Sequence, residues 1–96
     1  MRKEIRFGKY SAIIERTGRA ASMTVYPQPE NARTIAGMAD NLNVIPEINV
    51  TGILPDRGKM VFTVDSMTGC SLIIQSVCDA ITHTFGINRD ELVVMP

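Results

Sequence analysis

The chain has 96 residues, 45% of them hydrophobic and 21% charged, with ten basic side chains against ten acidic ones. That length leaves no room for a second core, so residues 1–96 are read as a single domain, and the composition excludes a disordered chain. No apolar run reaches the ~18 residues of a membrane span, and MRKEIRFGKYSAIIER has no continuous apolar stretch of the secretory kind, so a cytoplasmic setting without membrane contact is expected.

Lys3 to Glu15 has strand character, with Ile5 and Phe7 alternating with charge. Gly8 interrupts this pattern and reads as a bulge or bend. Arg16-Thr17-Gly18-Arg19 is a turn, with Gly18 suited to a positive φ. Ala21, Met23 and Val25 then alternate with Ser22, Thr24 and Tyr26, the clearest period of two in the chain. Pro27-Gln28-Pro29 ends that strand. Pro29 and Glu30 suit the first turn of a helix whose buried stripe is Ala32, Ile35, Ala36, Ala39 and Leu42.

Glu47 to Leu54 is a further strand region, closed by the turn Pro55-Asp56-Arg57-Gly58. Lys59 to Asp65 comes next, with Met60, Phe62 and Val64 on one face. The longest amphipathic stretch runs from Ser66 to Gly86. Cys70, Ile73, Ile74, Val77, Ile81 and Phe85 recur in it at helical spacing, Ser66 or Thr68 is suited to cap its start, and Gly86 to end it. Glu91 to Met95 is a last short strand.

A short internal repeat runs through this order. Ile13 to Arg19 aligns with Ile53 to Lys59 at an offset of 40, and a helix comes after each turn. The expected fold is α+β: two hairpin-helix units, ββαββα, plus a short C-terminal strand. They form a two-layer sandwich with an antiparallel sheet of four or five strands and both helices on one face. Met23, Val25, Phe62 and Val64 are expected to face the helices, and Ser22, Thr24, Tyr26, Asn49, Thr51 and Thr63 to face away. Ile13, Ile53 and Val61 fall in phase with the outer set. An open face carrying them is a candidate surface for a partner or a homodimer.

The chain is poor in catalytic residues. Cys70 and Cys78 are eight residues apart on the long helix, roughly 12 Å, too far for a disulfide. Cys70 near a helix start is the best nucleophile, because the helix dipole lowers a thiol pKa there. The one histidine, His83, lies thirteen residues on, roughly 20 Å away. The residues do not cluster as metal ligands do, and no metal or cofactor is expected. SMTGCS offers free N–H groups at a helix start but lacks the lysine and second glycine of a phosphate loop.

Charge is unevenly spread along the chain. Residues 1–33 hold Arg2, Lys3, Arg6, Lys9, Arg16, Arg19 and Arg33 against Glu4, Glu15 and Glu30, whereas the remainder is acidic by the same margin. Both expected hairpin tips are basic, with Arg16 and Arg19 on one, Arg57 and Lys59 on the other. The leading expectation is a non-catalytic protein-interaction module, a regulator or inhibitor of a larger protein or complex. It would use Arg16, Arg19, Arg57, Lys59, Tyr26, Ile53 and Val61. The alternative is a nucleic-acid-binding domain in which the basic tips contact phosphates and Tyr10 and Tyr26 stack on bases. A cysteine-dependent enzyme centred on Cys70 ranks third.

Overall fold

Alternating apolar residues and three two-residue turns build most of the sheet. The computed structural model describes residues 1–96. It places strands β1 (Arg2–Phe7), β2 (Tyr10–Thr17) and β3 (Ala20–Tyr26) before helix α1 (Ala32–Leu42). Strands β4 (Ile48–Asp56) and β5 (Lys59–Ser66), helix α2 (Cys70–Phe85), a 3-10 turn (Arg89–Glu91) and β6 (Val93–Met95) complete the chain. All six strands join one sheet in the order β4-β5-β3-β2-β1-β6, and every neighbouring pair is antiparallel.

The α+β sandwich is as expected, but the first unit is a three-stranded meander, not a hairpin. Gly8 does not bulge a single strand. It turns the chain at φ 54°, so that Phe7 pairs with Tyr10. A positive φ at the first of two loop residues matches the right-handed twist of a hairpin, and glycine supplies it without a steric cost. Gly18 does the same between Thr17 and Ala20 at φ 62°. Between β4 and β5 both loop residues, Arg57 and Gly58, are left-handed, at φ 52° and 79°. Pro55 and Asp56, read from the sequence as part of that turn, are the last paired residues of β4.

Both helices cover one face. Ile5, Phe7, Ala12, Ile14, Met23, Val25, Met60 and Phe62 point into the core from the sheet, as does Val64. Met38, Ala39 and Leu42 meet them from α1, and Ile73, Val77, Cys78 and Ile81 from α2. The α1 stripe is rotated from the expected one: Ala32 and Ala36 are exposed, and Met38 is buried in their place. Asn31, not Pro29 or Glu30, opens α1, its side chain accepting from the Arg33 N–H. Small residues still bring the helices close. A Cβ on Gly37 would lie 3.7 Å from the Thr84 methyl, and Asn41 donates to the Thr84 hydroxyl at 2.9 Å.

The start of α2 also differs from expectation. Ser66 is the buried last residue of β5, and its hydroxyl accepts from the Thr68 N–H. Gly69 precedes the helix with no side-chain cap, and Cys70, its first residue, is exposed. Gly86 ends the helix at φ 65°, as glycine does where the chain must turn left-handed. Phe85 packs there on Phe7 and Tyr10, with ring centroids 5.1 and 5.2 Å away. No helix is long and apolar enough to cross a membrane.

Candidate functional site

The opposite face of the sheet has no layer over it. The strand registers set one row across its middle: Leu54 opposite Val61, Val61 opposite Thr24, Thr24 opposite Ile13, Ile13 opposite Glu4. Four of these side chains have apolar methyl groups to offer. Ile13, Thr24 and Val61 are half-buried by their neighbours, whereas Leu54 is 66% exposed. Tyr26, 53% exposed, lies on the same face two residues beyond Thr24. Polar but small residues flank the row: Ser11, Ser22, Thr51 and Thr63.

Ile53 is not part of this row. A register shift between Val50 and Gly52 makes Thr51 an extra residue in β4. A bulge reverses the phase of the residues after it. Ile53 therefore pairs with Phe62 on the helix side, and Leu54 takes the outward place. The bulge is held by the Thr51 and Thr63 hydroxyls, 3.2 Å apart, and by the Thr63 hydroxyl donating to the Gly52 carbonyl. Its signal in the sequence is Gly52 inside a strand pattern.

The basic residues do not form one stripe. Ala20 pairs with Asp65 and Val25 with Met60, so the β2–β3 and β4–β5 turns lie at opposite ends of antiparallel strands. Six residues of strand separate those ends, roughly 20 Å. Arg19 is at one end, 3.3 Å from Asp65. Arg57 and Lys59 are at the other, with Tyr26 and the Gly8–Lys9 turn. Arg16 is not free to bind. Its guanidinium points to the helix side and donates to the carbonyls of Gly18 (2.6 Å), Ser66 (3.3 Å) and Thr68. Tyr10 is likewise committed, stacked on Phe7 at 5.5 Å. Of the residues expected to bind, Tyr26 and Val61 lie on the open face, Arg57 and Lys59 border one end of it, and Arg19 borders the other.

Charges on the face are mutually engaged. Glu4 accepts from Arg6 at 2.8 Å and from Ser11 at 3.2 Å. The Arg6 hydrogen bond holds the Glu4 carboxyl below its usual range. At the Arg19 end, Glu15, Arg19, Ser22, Thr51, Thr63 and Asp65 border a shallow, open depression of about 770 Å³. A second groove, about 340 Å³, runs between the end of α1 and α2, past Asn41, Asp79 and His83.

The thiols are unlike each other. Cys70 is exposed at the start of α2, whereas Cys78 is fully buried and its pKa is pushed up by desolvation. His83 and Cys70 are thirteen residues apart on that helix, roughly 20 Å, so the two do not meet within one chain. No group of three or more His, Cys, Asp or Glu side chains is gathered as a metal site would need. No protein-family model matches this chain, and no curated protein or solved structure is significantly similar to it.

Proposed function

We propose that this protein works by binding, as a non-catalytic protein-interaction module with its open sheet face as the docking surface, regulating or inhibiting a larger protein or complex. One observation carries this reading: a row of methyl-bearing side chains, Ile13, Thr24, Val61 and Leu54, crosses a sheet face that no helix covers. Antiparallel sheets tolerate water on one face, but usually with a charged or strongly polar outer set. Here the middle of that face is aliphatic and hydroxylic. The exposed turn at one end, bearing Lys9 and Arg57 with Lys59 beside it, is basic and favours an acidic protein as the larger partner, whereas Arg19 at the other end is paired with Asp65. A cytoplasmic setting goes with this reading, since both cysteines are free.

The test is a pull-down with tagged protein from host lysate after nuclease treatment, run with wild type, Val61→Glu and Thr24→Lys. A protein partner retained by wild type and lost by both variants is expected. Capture unchanged by either variant, or loss of all partners on nuclease, would sink the reading.

A further inference from the structure

We infer that the open face is covered by a second copy of this chain, the two sheets packing face to face about a two-fold axis that passes close to Thr24 and Ile13. This rests on the reading of that face as a docking surface and names its occupant.

The area of the face suits a second copy. The strand order puts β3 and β2 at the middle of six strands, so Thr24 and Ile13 mark the centre. Strands about 4.8 Å apart and about 20 Å long give a face of roughly 500 Å² or slightly more. A face of that size fits within the long dimensions of the molecule, 29 and 27 Å. Two such faces remove roughly 1,000–1,200 Å² together, which just reaches the size of a specific interface and sits at its weak end.

The charge of the face suits it as well. The outward strand positions carry Arg2, Arg6 and Lys59 against Glu4, Glu15, Asp56 and Asp65, within one charge of neutral. Glu4 is already paired with Arg6, and Asp65 with Arg19. A face of this kind meets its own copy without net repulsion. A strongly charged partner would gain little from its centre, where no charged side chain stands between Leu54 and Ile13.

The shape of the face also suits it. Most side chains around the centre are short, Ser11, Ser22, Thr24, Val61 and Thr63 with Gly52 beside them, and Tyr26 is the one large exposed side chain near it. Short side chains let two sheets approach to the ~10 Å of a sandwich. A two-fold contact must be self-complementary, since each residue near the axis meets its own copy. Thr24 does so with a methyl and a hydroxyl group, which suits it. In this arrangement the second copy and the larger partner compete for the face, and the basic end with Lys9 and Arg57 stays exposed at the rim.

Sedimentation of the purified protein over about 5 µM to 1 mM tests the inference. A monomer–dimer equilibrium with a Kd on the order of micromolar is expected. Val61→Glu and Thr24→Lys should each shift it at least tenfold toward monomer while leaving the circular dichroism spectrum unchanged. A further variant guards against a folding defect: Thr24→Cys in a Cys70→Ser background should cross-link to a dimer on mild oxidation, and Cys70→Ser alone should not. A wild type monomeric throughout would overturn the self-pairing. Loss of the larger lysate partner in Val61→Glu would then show that the docking surface itself survives. A dimer untouched by both face variants would mean that self-association uses another surface, and would overturn the self-pairing. Assemblies larger than two that dissolve in high salt would mean sheet-to-helix stacking, and would also overturn the two-fold arrangement.

Discussion

Arg16 donates to three main-chain carbonyls, those of Gly18, Ser66 and Thr68, and so ties the β2–β3 turn to the connection that leads into α2. Hydrogen bonds from a charged group are worth about 1.5–3 kcal/mol, and leaving the carbonyls unpaired adds to the loss. Arg16→Ala is therefore expected to lower stability by about 2 kcal/mol in urea, and Arg16→Lys to recover little, because a single ammonium cannot reach three acceptors as a planar fork does. Arg57→Ala, at a side chain 94% exposed, should stay within about 0.5 kcal/mol of wild type. The contrast separates two arginines that look alike in the sequence. Cys78 offers a second check. Burial raises its thiol above the ordinary 9.0, so the folded chain holds this proton more tightly than the unfolded chain. Its contribution is full below that value and is lost as pH climbs from the unfolded value through the raised one. The urea midpoint of wild type should fall more steeply above pH 9 than that of Cys78→Ala. A thiol reagent at neutral pH should label Cys70 alone until the protein unfolds.

Among the elements, the bulge in β4 depends on a small residue. A Cβ on Gly52 would lie 2.8 Å from the Thr63 hydroxyl oxygen, closer than two such atoms can sit. Gly52→Ala is expected to cost about 1–2 kcal/mol, and the double variant Gly52→Ala/Thr63→Ala to recover a good part of it, which a double-mutant cycle by urea unfolding would measure. The same element shows where the sequence is readable and where it is not. Gly18 and Gly86 mark a turn and a helix end because their left-handed backbone is a local demand, met by a local residue. The alternation in β3 and β5 comes from burial on one face, which any register of these strands must respect. Gly8 and Gly52 give the same signal, a glycine within a strand, yet one is a hairpin turn and the other sits beside a bulge. What separates them is the pairing partner, Tyr10 for Phe7 and Thr63 for Gly52, and pairing is a tertiary fact. For that reason the alternation alone puts Ile53 outside and leaves Leu54 unmarked. Arg16 reads as part of a binding tip for a related reason: its acceptors, Ser66 and Thr68, are about fifty residues away in the chain.

At the scale of the molecule, the charge asymmetry of the sequence becomes an asymmetry between layers. Strands and their turns hold Arg2, Lys3, Arg6, Lys9, Arg16, Arg19, Arg57 and Lys59 against Glu4, Glu15, Asp56 and Asp65. The helices and remaining connections hold Arg33 and Arg89 against Glu30, Asp40, Glu47, Asp79, Asp90 and Glu91. The surplus in the sheet layer comes from its turns and its helix-facing ends, not from the open face. Pairing through that face is therefore expected to be driven by apolar burial and to change little with salt, whereas binding through the turns should weaken as salt screens them. Stability should register the pairing as well. A chain of this length buries only about 60–65% of its extended surface, so an interface is a sizeable fraction of its folding free energy. Raising protein concentration a hundredfold above the Kd stabilises each protomer by about 1 kcal/mol through mass action. For a domain of this size that is a rise of about 4–8 °C in Tm. Wild type scanned from about 10 µM to about 1 mM should show that rise, and in Val61→Glu the rise should begin at a concentration about tenfold higher or more. A Tm independent of concentration in both would mean that the sheet face is closed by something other than its own copy, or stays open to water.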